Sequence, residues 1–272
     1  MFKNISRVVL TIGIPLVASL LPLASHAQSV DDWKWQANVY GWFPSIGGKT
    51  SFPPGGGGPT LDIDADTIID NLKFVFMGSL EAQRGLWGVF TDVIYLDLEG
   101  DKSGTRDATI GRQALPVGAD LNANLEFKSW VWTLAGTYNA VATPEHTMQT
   151  LAGARLIDLE QKLGWQFTGN IGALPLSAAG SSTVDESMLD GIIGVKGKVS
   201  FGANREWFVP YYVDVGTGQS DFTWQGIIGI GYQFHWGAVT AAWRYLDYEF
   251  KSGRPLEELN LSGPSIGLTF RW

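Results

Sequence analysis

The chain has 272 residues, among them 34 Gly, 12 Trp and no Cys, and its formal net charge is −8. The acidic balance, with no basic patch interleaved with aromatics, excludes nucleic acid as a partner. The missing Cys excludes disulfides and thiolate chemistry.

At the N-terminus Lys3 and Arg7 precede an apolar run from Val8 to Leu23, and Ser25-His26-Ala27 follows. That three-part layout predicts a secretory signal peptide, residues 1–27, cut after Ala27. The run is roughly 16 residues and carries Pro15 and Pro22, too little for a span of ~20. After Ala27 no apolar run is long enough for a membrane helix, so residues 28–272 can cross a membrane only by strands.

The mature chain reads as ten strands of period-two alternation, with eight or twelve as alternatives. The first covers Trp33–Phe43, with Trp33, Trp35, Ala37, Val39 and Gly41 on one face. A Pro/Gly-rich loop follows over residues 44–71. Gly55–Gly58 reads there as a flexible turn region, not a phosphate loop, because no Gly-Lys-Ser/Thr follows it. Asp66 is expected to cap a short helix ending at Asn71. Asp62, Asp64 and Asp66 resemble the start of a calcium loop. Thr67 and Lys73 stand where that loop needs Gly and Glu, so no metal site is assigned.

The second strand is Leu72–Gln83, with Phe74, Phe76, Gly78, Leu80 and Ala82 facing lipid. A turn at Arg84-Gly85 leads to the third, Leu86–Glu99. Residues 100–120 read as a loop before the fourth strand, Leu121–Val141. A turn near Pro144 leads to the fifth, Met148–Trp165, and residues 167–188 read as a second long loop. The remaining strands are Leu189–Phe201, Trp207–Val215, Asp221–Phe234, Ala238–Phe250 and Leu259–Trp272. Connections after even strands are short and those after the first, third and fifth are long, the pattern of periplasmic turns and outer loops. An even count puts both termini on the periplasmic side.

The last strand ends Ile266, Leu268, Phe270, Trp272 at alternate positions, with an aromatic C-terminal residue. This resembles the C-terminal signal of small bacterial outer-membrane β-barrels. The resemblance implies an all-β, transmembrane, antiparallel up-and-down barrel in the outer membrane of a Gram-negative, proteobacterial cell. It implies the barrel-assembly machinery, outer-membrane lipid and lipopolysaccharide as partners. It implies no cofactor and no catalytic residue.

A small barrel must fill or hydrate its interior. Alternation places Lys34, Glu81, Asp92, Arg155, Asp190, Lys196, Lys198, Asp214 and Arg244 inward. They read either as a paired network that plugs the lumen or as a polar path for small solutes, porin-like in type. A repeated pattern, Tyr95-Leu96-Asp97-Leu98-Glu99, Leu156-Ile157-Asp158-Leu159-Glu160 and Tyr245-Leu246-Asp247-Tyr248-Glu249, reads as an outer girdle followed by a charged rim. The mature chain holds His146 and His235, both in expected periplasmic turns and neither in a His-x-Ser arrangement. The expectation is therefore a non-enzymatic barrel of structural or narrow-channel type. The alternatives are a surface-interaction protein acting through residues 44–71 and an outer-membrane lipid-modifying enzyme.

Overall fold

The structure, a computed structural model, describes residues 32–50, 60–105, 109–110, 113–114, 120–171, 174–254 and 256–272. The expected signal peptide and the Gly55–Gly58 run lie outside these residues. Ten strands form the barrel wall: β1 (Lys34–Trp42), β4 (Leu72–Arg84), β5 (Trp87–Thr105), β8 (Asp120–Ala142), β9 (His146–Ile171), β10 (Leu174–Phe201), β11 (Trp207–Gly218), β12 (Phe222–Gln233), β13 (Ala238–Glu249) and β14 (Leu256–Arg271). Between β1 and β4 lie β2 (Ser45–Thr50), β3 (Thr60–Ile63) and α1 (Ala65–Asp70). A two-stranded ribbon, β6 (Thr109–Ile110) with β7 (Gln113–Ala114), lies between β5 and β8. Each wall strand pairs antiparallel with its neighbour in sequence, and β1 pairs with β14 from Gln36–Arg271 to Trp42–Ser265, which closes the barrel. Closure leaves no free wall edge where the two end strands meet.

The register is staggered, as a closed barrel requires. Paired residues lead from Asn38 through Ser79, Asp92, Thr133 and Arg155 to Asp190, one inward polar group per strand. The next inward row toward the outer end runs Met77, Ile94, Val131, Ile157, Met188 and is wholly apolar. A one-residue slip of any strand would turn these side chains into lipid, so the two rows fix the register.

The outer face carries a lipid-facing belt between two aromatic girdles. Phe74, Tyr95 and Trp130 pack side by side at one level, as do Trp224 and Tyr245. Trp87 meets Tyr138, and Trp207 meets Tyr232, at the end that carries both termini. Eight residues separate the girdles on β5 (Trp87 to Tyr95), β8 (Trp130 to Tyr138) and β12 (Trp224 to Tyr232). At ~3.3 Å per residue that is about 26 Å along each strand, and about 20 Å along the membrane normal at a tilt of ~40°.

Beyond the outer girdle the pattern inverts. Outward positions become acidic (Asp97, Glu99, Asp158, Glu160, Asp247, Glu249), while the inward Leu96, Leu98, Ile157, Leu159, Leu246 and Tyr248 are buried. Below the girdle the barrel has lipid outside and polar groups inside. Above it, water lies outside, so the inward face supplies a dry core, as in a soluble barrel.

Several expectations need correction. Wall strand reaches into both segments expected as long loops: residues 100–105 and 120 belong to β5 and β8, and residues 167–171 and 174–188 belong to β9 and β10. β5 pairs with β8 up to Thr105–Asp120, and β9 pairs with β10 up to Ile171–Leu174. Polar, Gly-rich composition marks departure from lipid, not the end of backbone pairing. The connection after the fifth wall strand is therefore short, and the outer reach comes from strands. Residues 44–71 are not one loop either. β2 continues the path of β1 past Pro44, pairing with β14 from Ser262 to Leu256, and β3 pairs back on β2. The helix is N-capped by Asp64, not Asp66, without a side-chain cap bond.

Pairing of β1 with β4 ends at Val39–Gly78, whereas β4 runs on to Leu72 against β5. The Phe43 ring lies over Gly41 and the Phe76 ring over Gly78, covering the backbone where the two strands part. At the opposite end Gly85 takes φ +58 in the two-residue turn between β4 and β5, the left-handed geometry such hairpins require.

Candidate functional site: the barrel lumen

The lumen divides into three levels. At and above the outer girdle one contiguous apolar cluster fills it. Trp42 comes from β1, Met77 from β4, and Ile94, Leu96 and Leu98 from β5. Val131 (β8), Ile157 and Leu159 (β9), Met188 (β10), Leu246 and Tyr248 (β13) and Leu259 (β14) belong to the same cluster. Ile46 of β2 and Ile68 of α1 join from the segment between β1 and β4, so that segment is part of the plug. The repeat read as a girdle and rim thus also supplies the plug through its inward residues.

Two buried ion pairs lie beneath. Arg244 donates to Asp92 Oδ2 at 2.7 Å, to Gln225 Oε1 at 2.8 Å and to Tyr40 Oη at 2.6 Å, and Tyr40 donates to Asp92 Oδ1 at 2.8 Å. The guanidinium also stacks near the Tyr40 and Trp42 rings, at 5.5 and 5.0 Å from their centroids. This cluster ties β1, β5, β12 and β13 together across the barrel. Arg155 pairs with Asp214 and donates Nε to Thr133 Oγ1 at 3.2 Å, and Tyr212 donates to the same Asp214 carboxylate. Asp190, fully buried, accepts the backbone N–H of Ser220 at 2.8 Å. Charges this far from water are tolerable only with such partners.

The third level is a cavity of about 540 Å³ that opens toward the end bearing both termini. Its ceiling is the Arg244–Asp92 cluster. Lys196 bridges to Glu81 Oε2 at 2.5 Å, and Gln149 Nε2 donates to Glu81 Oε1 at 2.6 Å. Lys196 Nζ also stands 4.0 Å from the centroid of Phe90. Lys198 stands over Phe208, 5.2 Å from its centroid. Lys34 lies at the mouth, exposed, beside Gln83 and Arg271.

The nine inward charges therefore divide by level. Asp92, Arg155, Asp190, Asp214 and Arg244 are buried in the middle. Glu81, Lys196 and Lys198 line the open chamber, and Lys34 sits at its rim. Alternation along Asp221–Phe234 places Gln225 inward, but sequence reasoning missed the other neutral partners, Tyr40, Gln149, Thr133 and Tyr212, and it missed Arg271. The signal for Arg271 is its place between Phe270 and Trp272: with those two facing lipid, it must face the lumen. Ile266, Leu268, Phe270 and Trp272 all lie exposed on the outer face of β14.

Outside the belt, Lys162 bridges to Glu160 at 2.7 Å and Lys49 to Glu258 at 2.8 Å. In each pair the hydrogen bond to the carboxylate lifts the lysine above its ordinary range. His146 Nε2 lies 2.9 Å from Tyr211 Oη, and His235 is exposed in the turn between β12 and β13. Among the described residues, no group of three His, Cys, Asp or Glu side chains could hold a metal ion.

No family model matches the chain, and no curated protein matches it. Among solved structures it is similar to the outer-membrane protease OmpT of Escherichia coli, at 9% identity and TM-score 0.46, over 89% of this chain and 97% of that one. It is also similar to Ail, the attachment invasion locus protein of Yersinia pestis, at 11% identity and TM-score 0.31, over 89% and 99% of the two chains. The translocator domain of the autotransporter NalP from Neisseria meningitidis matches at 14% identity and TM-score 0.32, over 89% of each chain. Likenesses this distant say nothing of what this chain does. The closed wall, the apolar belt and its two girdles are features of the chain itself, and they make it an integral outer-membrane β-barrel.

Proposed function

We propose that this barrel is a closed one, structural in type, whose lumen ends blindly inside the membrane and does not conduct solutes. The observation that carries the reading is the apolar cluster across the lumen at the outer girdle. An open pore needs a polar, hydrated path from end to end. Here Leu246, Ile157, Met188 and Tyr248, from three strands of the wall, are almost wholly excluded from solvent and belong to one packed apolar cluster. Of the structural and narrow-channel readings that the sequence leaves open, the plug favours the first. The reading is non-enzymatic. His146 is engaged with Tyr211 at a periplasmic turn, Asp214 and Asp92 are committed to Arg155 and Arg244, and Asp190 accepts the backbone N–H of Ser220. It takes the barrel-assembly machinery as the partner that inserts the chain through Ile266 to Trp272, and outer-membrane lipid and lipopolysaccharide as its surroundings. Planar-bilayer recording on the purified, refolded chain tests it. The expected result is no conductance across salts and voltages, and steady single-channel currents would overturn it.

A second reading has its own support. β9 and β10 run 26 and 28 residues, where a membrane strand needs about 9–11. The excess stands outside the membrane with β2 and β3 and offers a surface to a partner. Shortening the β9–β10 hairpin should then abolish cell-surface binding of that partner while the barrel still folds. Unchanged binding would remove this reading.

A further inference from the structure

We propose that the chamber open to the periplasm is a binding site for a small organic anion, a carboxylate or phosphate group carried on a hydroxylated body. The charges on its wall do not balance. Two carboxylates, Glu81 and Asp92, face four cations, Lys196, Lys198, Arg244 and Arg271. Lys196 and Arg244 take the two carboxylates at 2.5 and 2.7 Å. That leaves Lys198 and Arg271, each without a carboxylate at ion-pair distance among the described residues.

Arg271 bonds neutral side chains and lies within electrostatic range of Glu81, the carboxylate that Lys196 already holds. Arg271 donates Nε to Gln36 Oε1 at 2.8 Å and a second N–H to Gln233. Lys198, half-buried, stands over the Phe208 ring. Both line the same cavity, and each lies within electrostatic range of the other. Lys198 is half-buried and Arg271 is exposed at the chamber mouth; two like charges facing one cavity repel, and an anion between them removes the repulsion and adds charge-assisted hydrogen bonds. The cavity, about 540 Å³, falls in the range of small-molecule sites. The remaining wall sets the rest of the ligand. Gln36, Asn38 and Gln149 present amides suited to hydroxyl groups, and Phe90 and Phe208 present apolar faces. Since the plug closes the far end, entry and exit are both periplasmic, and the site captures its ligand rather than passing it on.

Calorimetry on the full refolded chain in nonionic detergent tests this with glucose 6-phosphate, glucuronate and neutral glucose as probes. Glucose 6-phosphate and glucuronate should bind and glucose should not. The ratio of the two anions tells whether phosphate or carboxylate is preferred. Lys198→Gln and Arg271→Gln should each weaken the better anion by about tenfold. Lys162→Gln, which removes the same charge outside the belt, should leave it unchanged. Among the described residues Lys198 makes no side-chain hydrogen bond, so Lys198→Gln carries the test even where Arg271→Gln fails to fold. Equal binding of glucose, no binding of either anion, or unchanged affinity in Lys198→Gln would each overturn the proposal. Closure of the lumen is read separately, by conductance, and stands or falls without this result.

Discussion

Replacing Arg244 by Met probes the middle level of the lumen most sharply. Arg244 and Asp92 are almost fully buried, and Arg244 makes hydrogen bonds to Asp92, Gln225 and Tyr40. Arg244→Met strands the Asp92 carboxylate with the Tyr40 hydroxyl as its one remaining donor among the described residues. Removing one partner of a buried pair costs about 3–5 kcal/mol, because the other charge stays buried and uncompensated. The double variant Arg244→Met with Asp92→Leu removes both charges and should recover most of the loss, to within about 1–2 kcal/mol of the natural chain. Urea unfolding in lipid vesicles, followed by the fluorescence of the 12 tryptophans, gives both numbers. A single-variant cost below about 1 kcal/mol is the behaviour of a solvated surface pair, and it would refute the account of a buried middle level.

Other substitutions test the remaining levels. Leu246→Ala removes a fully buried plug side chain and should cost about 2–5 kcal/mol in the same assay, with no loss meaning that the plug is loosely packed. Ile228 lies midway between the girdle residues Trp224 and Tyr232 and faces lipid, so Ile228→Arg should cost about 2–4 kcal/mol in vesicles. An unaffected Ile228→Arg would mean that the belt is misplaced. Gly85→Val forces a β-branched residue to φ +58 and should cost about 1–2 kcal/mol, measured by the same unfolding curve.

Much of the wall was legible in the sequence because lipid is a demanding solvent. Alternation such as Phe222, Trp224, Ile228, Ile230 and Tyr232 marks a membrane strand wherever one face meets hydrocarbon, and the strand count and inward set follow from it. Legibility stopped at the membrane surface. Above it the outward face turns acidic at Asp97, Asp158 and Asp247, so the lipid signal vanishes although β5, β9 and β13 continue. Polar outward positions then look like loop, which hides the strand residues within 100–120 and 167–188. The plug was hidden for the same reason. Leu96, Leu98, Ile157 and Leu159 alternate with acidic residues, and only the reversal of the apolar face along one strand betrays them. Ion-pair identities were out of reach because Arg155 and Asp214 lie on strands two apart, and the stagger of the register decides which charges meet.

The closed lumen is tested most directly by side-specific labelling. The chain has no Cys, so a single thiol can be placed at will. Asn38→Cys faces the chamber, and Ser252→Cys lies exposed in the outer turn after β13. With a bulky, membrane-impermeant maleimide added to intact cells, Ser252→Cys should label and Asn38→Cys should not. Both should label once the periplasmic side is opened to the reagent, and labelling of Asn38→Cys from outside intact cells would contradict the closed barrel.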